Sequence, residues 1–99
     1  MNVNQIIKYW QKELGLLDWS IYTEEIKKDQ VLYDSEVPNE DRYFVGVEID
    51  GENNKATIYH DRELNDEYVL HELLHVKHPK FSEDQVNFWT DFFLLENKN

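Results

Sequence analysis

Residues 68–78 read Tyr68-Val69-Leu70-His71-Glu72-Leu73-Leu74-His75-Val76-Lys77-His78, and this stretch decides the fold. Leu70, Leu73, Leu74 and Val76 make it apolar, neither glycine nor proline interrupts it, and Pro79 follows, so the stretch predicts a helix that ends there. Inside it lies His71-Glu72-x-x-His75. On a helix, positions i and i+4 share a face, so both imidazoles can reach one cation. Neutral imidazole binds zinc at about 2.0–2.1 Å. Glu72 sits about 100° round the helix from His71, where the H-E-x-x-H pattern puts a carboxylate that acts as general base rather than as ligand. Three fixed residues are a short signature and need context. The bland alternative is a surface helix with two unrelated histidines, and the apolar setting argues against it.

Beyond Pro79, Ser82 is an N-cap and Gln85, three residues on, completes a capping-box pattern for a helix running to about Glu96. Val86, Trp89 and Phe93 lie on one stripe of it, and Phe88, Phe92 and Leu95 on the next. So broad an apolar face must be largely buried or must contact another chain, which leaves room for self-association through this helix. Upstream, Asn65 or Asp66 can cap the motif helix. Residues 55–61 predict a strand with Ala56, Ile58 and His60 on one face, and 50–54 carry the residue types of a hairpin loop. The clearest alternation is Tyr43, Val45, Val47 and Ile49 against Phe44, Gly46 and Glu48. Residues 27–41 are charged and hold Pro38, so they read as loop with a short edge strand near 31–33. A first strand covers 19–24. Residues 4–14 predict an amphipathic helix through Ile6, Trp10 and Leu14, stopped by Gly15. The expectation is one α+β domain over residues 1–99, with a three- to four-stranded, mainly antiparallel sheet.

Aromatic residues make up 14% of the 99-residue chain, enough to build a core despite the charge. A formal net charge of −11 makes nucleic acid and anionic membrane surfaces poor partners. No long apolar run and no signal-peptide pattern is present, and cysteine is absent, so no thiolate can bind the metal. The expected setting is cytoplasmic.

Two histidines leave a catalytic zinc one protein ligand short, because such sites commonly use three. His78 is seven residues from His71, about 10.5 Å of helix, and precedes a proline that pushes it out of helical geometry. Asp84 remains possible, while Asp91 and Glu96 sit further along among aromatics or near the tail. Glu83 stands best placed, opening the next helix where a tight turn through Pro79 can fold it back. Its plain alternative is an acidic residue favourable at a helix N-terminus.

Glu83-Asp84-Gln85-Val86-Asn87 resembles the glutamate-helix signature E-x-x-A-D/N of gluzincins, the thermolysin-like zinc metallopeptidases. The order of elements is similar to the single-domain minigluzincins and the related ImmA/IrrE-type peptidases. The resemblance implies a zincin-like domain in which His71, His75 and Glu83 bind zinc, Asn87 orients one histidine, and Glu72 is the catalytic base. It also implies that the strand at 55–61 forms the rim on which a peptide or unstructured protein substrate lies as an added strand. A second likeness, to M48-like proteins of the YgjP/SprT type, would put a third histidine ligand at Phe81, where this chain has none. No residue matches the later Tyr or His that stabilises the oxyanion in larger gluzincins, and His60 reads as a strand histidine. The activity implied is peptide-bond hydrolysis, latent if acidic segments such as 34–41 or the tail cover the cleft. The rival is a non-catalytic zinc-stabilised regulatory or interaction domain, because small domains often need a metal to hold their core.

Overall fold

The computed structural model describes residues 2–26 and 44–97. Helix α1 (Val3–Glu13) opens on a capping box: the Asn2 side chain accepts from the Gln5 N–H and the Gln5 side chain accepts from the Asn2 N–H, both at 2.9 Å. Gly15, at φ 71°, ends it. The Gly15 N–H reaches the Lys12 carbonyl and the Leu16 N–H reaches that of Gln11, the paired bonds of a Schellman motif. Buried Gln11 then donates to the Leu16 and Trp19 carbonyls, at 3.0 and 2.9 Å, and so fixes the entry to the sheet.

Three strands follow: β1 (Ser20–Glu25), β2 (Val45–Asp50) and β3 (Lys55–His60). The hairpin between β2 and β3 closes with Asn54 at φ 51° and the Asp50 carboxylate accepting from the Asn53 side chain at 2.8 Å. The order is β1-β3-β2, with β2–β3 antiparallel and β1–β3 parallel. The sheet is therefore mixed, not mainly antiparallel as expected. The hairpin settles only β2 beside β3. Strand β1 ends opposite His60, where β2 begins, and it holds the far edge of β3 running the same way. The expected edge strand near 31–33, the loop at 27–41 with its acidic part at 34–41, and Tyr43 lie outside the described residues.

Helix α2 (Asp66–Lys77) is the central element and packs on α1, β2, β3 and α3 (Glu83–Glu96). Of the two caps open to it, Asn65 serves: its side chain accepts from the Tyr68 N–H at 2.9 Å. Val69, Leu70, Leu73, Leu74 and Val76 are buried around it with Ile6, Ile7 and Trp10 of α1, Ala56 and Ile58 of β3, and Val86 of α3. Two polar ties lock the arrangement. The Trp10 indole donates to Asp66 at 2.7 Å, fixing α1 to the start of α2, and the Tyr9 hydroxyl donates to Asn97 at 2.7 Å. Helix α3 has a Ser82/Gln85 capping box, as its sequence implied. Its apolar face is not largely buried, however. Val86 and Thr90 face α2, with Phe93 and Leu94 partly covered, while Phe88 is 62% and Leu95 71% exposed. With α2 as its main neighbour, α3 can cover one side only, and Phe88, Phe92 and Leu95 fall on the other. No helix among the described residues is long and apolar enough to cross a membrane.

Candidate metal centre

His71 and His75 lie on one face of α2, with ring centroids 5.0 Å apart. The turn after α2 brings the first residue of α3 over them. The two Glu83 oxygens meet one imidazole each, Oε1 at 2.8 Å from His75 Nε2 and Oε2 at 3.3 Å from His71 Nε2. Tetrahedral coordination with bonds near 2.05 Å sets ligand atoms about 3.3 Å apart, close to the two imidazole–carboxylate distances, each of which involves its own Glu83 oxygen. The Glu83 side chain is 68% exposed and has solvent available, yet it turns toward both rings.

Burial lowers the pKa of His71 from its usual value, against the opposing pull of Glu83, and so favours the neutral imidazole that a metal requires. Glu72 is only 4% exposed, and its Oε2 has no hydrogen-bond partner among the described residues. Burial, with the Glu83 charge second, pushes its pKa up to about 8. One ligand atom from each of His71, Glu72 and His75 falls within 4.8 Å of the others, so Glu72 borders the same point. Glu83 is the carboxylate whose two oxygens face the imidazole nitrogens, while Glu72 is the buried member of the group with His71 and His75. An unpartnered buried oxygen beside a two-histidine, one-carboxylate donor set is what a group activated by a cation needs. The donor set fits zinc.

The other third-ligand candidates are not brought in. The His78 ring stacks on Phe81 at 4.2 Å, which also fills the place where the second likeness would need a histidine. Among the described residues, no ion pair joins Asp84, Asp91 or Glu96 to either imidazole. Asn87 lines the cavity beside His71 and Glu83, and no described hydrogen bond links it to a ring. His60 Nδ1 lies 2.6 Å from the Arg62 carbonyl, a structural contact at the end of β3.

Two recesses flank the cluster. One, of about 340 Å³, is bounded by Val45, Glu67, Tyr68 and Asn87 together with His71, Glu72 and Glu83. The other, of about 320 Å³, runs along β2 past Val45, Gly46, Val47 and Ile49 to His75 and Pro79. The rim is therefore β2. Strand β3, expected there, is paired on both edges and cannot accept a further strand. The Asp61 N–H bonds the Phe44 carbonyl, and the Ile26 N–H bonds that of His60. Ladder alternation then turns the N–H and C=O of Val45, Val47 and Ile49 away from β3, toward the cleft side. Glu67 and Tyr68 were legible as neighbours of His71 at helical spacing. Nothing local marked β2 as the open edge.

Comparison with protein-family models, with curated proteins and with solved structures finds no match to this chain.

Proposed function

We propose that this chain is a minimal zinc-dependent metallopeptidase of gluzincin type, with zinc held by His71, His75 and Glu83 and with Glu72 as general base. The observation that carries the reading is the convergence of both Glu83 oxygens on the two Nε2 atoms beside the buried, unpaired Glu72 carboxyl. Zinc, when bound, would supply Lewis acidity toward water and toward a substrate carbonyl. The chain's own groups do the rest. A nearby cation favours the ionised form of Glu72, which can then take a proton from water and return it to the leaving amine. The outward N–H and C=O groups of Val45, Val47 and Ile49 offer main-chain bonds to an extended peptide or unstructured segment. Asn87 is in the cavity wall, near enough to the histidines to serve the supporting role that the resemblance implies.

Metal analysis of the purified protein beside Glu83→Ala, and cleavage of an unfolded protein by wild type beside Glu72→Gln, test the reading together. One zinc per chain, weakened by the first change, with turnover abolished by the second, supports it. Zinc without any turnover would favour the non-catalytic zinc domain. No zinc after supplementation would sink both readings.

A further inference from the structure

Beyond Val45, Glu72 and Glu83, which both share, the two recesses beside the cluster differ in their wall residues, and that difference bears on what the cleft binds. The β2 side adds Gly46, Val47, Ile49 and Pro79 to His75. The other side adds Glu67, Tyr68 and Asn87 to His71, with Glu67 and Asn87 exposed. Neither recess is lined by lysine or arginine among the described residues. Arg62, which bonds Tyr68, also pairs with Asp61 at 2.9 Å. Glu83 and Glu72 are committed to the metal and to proton transfer, which leaves Glu67 as the carboxylate in this wall without a task. It stands four residues before His71, one helical turn away on the same face, and its charge is felt at that imidazole.

A second observation points to a ligand in the same space. Glu72, 4% exposed and with an oxygen that lacks a partner among the described residues, lines this recess, so a buried polar group borders the space a ligand would fill. A volume of about 340 Å³ is near the lower end of small-molecule sites, which run from about 300 to 1,000 Å³. That is room for one side chain rather than a folded surface.

Resting on the peptidase reading, we propose that the recess formed by Glu67, Tyr68, Val45 and Asn87 is a specificity pocket for a lysine or arginine side chain adjacent to the bond cleaved. The aliphatic stem lies along Val45 and the Tyr68 ring, and the cationic head meets Glu67 with the Asn87 carbonyl oxygen as a further acceptor. The substrates are thus cationic extended peptides. The −11 net charge of the chain adds long-range attraction for the same class.

The test is binding of short peptide hydroxamates to the zinc-loaded full-length protein, followed by calorimetry with zinc content measured on the same sample. Each lysine compound is matched to one with norleucine, its uncharged counterpart. One matched pair carries the variable residue before the hydroxamate and a second carries it after. We expect the lysine compound of one pair to bind about tenfold more tightly, which corresponds to 1.4 kcal/mol, and the gap to shrink at high salt. Glu67→Gln should remove the preference. Glu52→Gln, an equal loss of charge in the exposed hairpin turn, should keep it, which separates the pocket from general attraction. Equal affinities within both pairs, or a preference that survives Glu67→Gln, would overturn the pocket while leaving the zinc site standing. Absence of zinc, or no hydroxamate binding at all by a zinc-loaded sample, would overturn the metal-centre reading and the pocket with it.

Discussion

At the scale of single residues, Glu72 and Glu83 both border the histidine pair in opposite environments, and the difference suits each to the role proposed for it. Glu83 is mostly exposed and faces both imidazoles, the placement a ligand needs. Glu72 is buried and holds its proton. In the folded, metal-free protein it does so up to about pH 8, whereas its ordinary value is 4.5. Between those values the folded chain binds more protons than the unfolded one, so stability falls as pH rises through that window. The slope from one such group is at most about 1.4 kcal/mol per pH unit. Thermal melts in chelator between about pH 5 and about pH 8 should show Tm dropping, and Glu72→Gln should flatten the drop. An unchanged slope in the variant would mean that another group is responsible. Zinc uptake should release protons and tighten with rising pH, because its ligands and Glu72 must be in their basic forms. Glu83→Gln should weaken zinc binding by an order of magnitude or more in a competition titration, since it removes the one anionic ligand.

At the scale of elements, the position of Glu83 depends on how α3 begins. Ser82→Ala removes the cap over the turn that carries Glu83 and should cost about 1 kcal/mol in urea unfolding. It should also weaken zinc binding, because the fraying turn holds a ligand; unchanged zinc affinity would show that the ligand is positioned without the cap. Gly15→Ala forces a side chain into φ 71° and should destabilise by roughly 1 kcal/mol. Caps and stops of this kind were readable in advance, since each rests on bonds between residues three to five apart: Gly15, Asn65, Ser82 and Gln85 all serve as their sequence implied. Strand pairing was only half readable. The loop at 50–54 fixes β2 against β3, but no local signal says which side of β3 receives β1, and the parallel pairing follows from that choice.

At the scale of the whole molecule, among the described residues, the sheet keeps two outer edges, β1 and β2, and α3 keeps one exposed face. The edge beside the cleft is β2, and its register gives a contrast of two proline variants. Glu48 directs its N–H to β3, whereas Ile49 directs its own outward. Glu48→Pro should therefore destabilise by at least about 1 kcal/mol more than Ile49→Pro. Ile49→Pro should remain folded yet bind extended peptides less well. Similar unfolding by both would refute the assigned ladder. The exposed face is that of α3, where Phe88, Phe92 and Leu95 point away from the α2 contact. Their periodicity made them visible in the sequence as apolar. Whether such a stripe is covered depends on neighbours that the helix itself does not encode.

The sequence by itself determined the helices, their caps, the β2–β3 hairpin and the pair His71 and His75 with Glu72 beside them. These depend on spacing within one element, and helical or strand geometry converts spacing directly into a shared face. The tertiary structure alone decided that Glu83 reaches both imidazoles, that β2 rather than β3 borders the cleft, that Glu72 is buried with an unpaired oxygen, and that the outer face of α3 stays open. Each of these requires segments distant in sequence to meet, and such meetings are set by how α2 packs against its neighbours rather than by any local pattern.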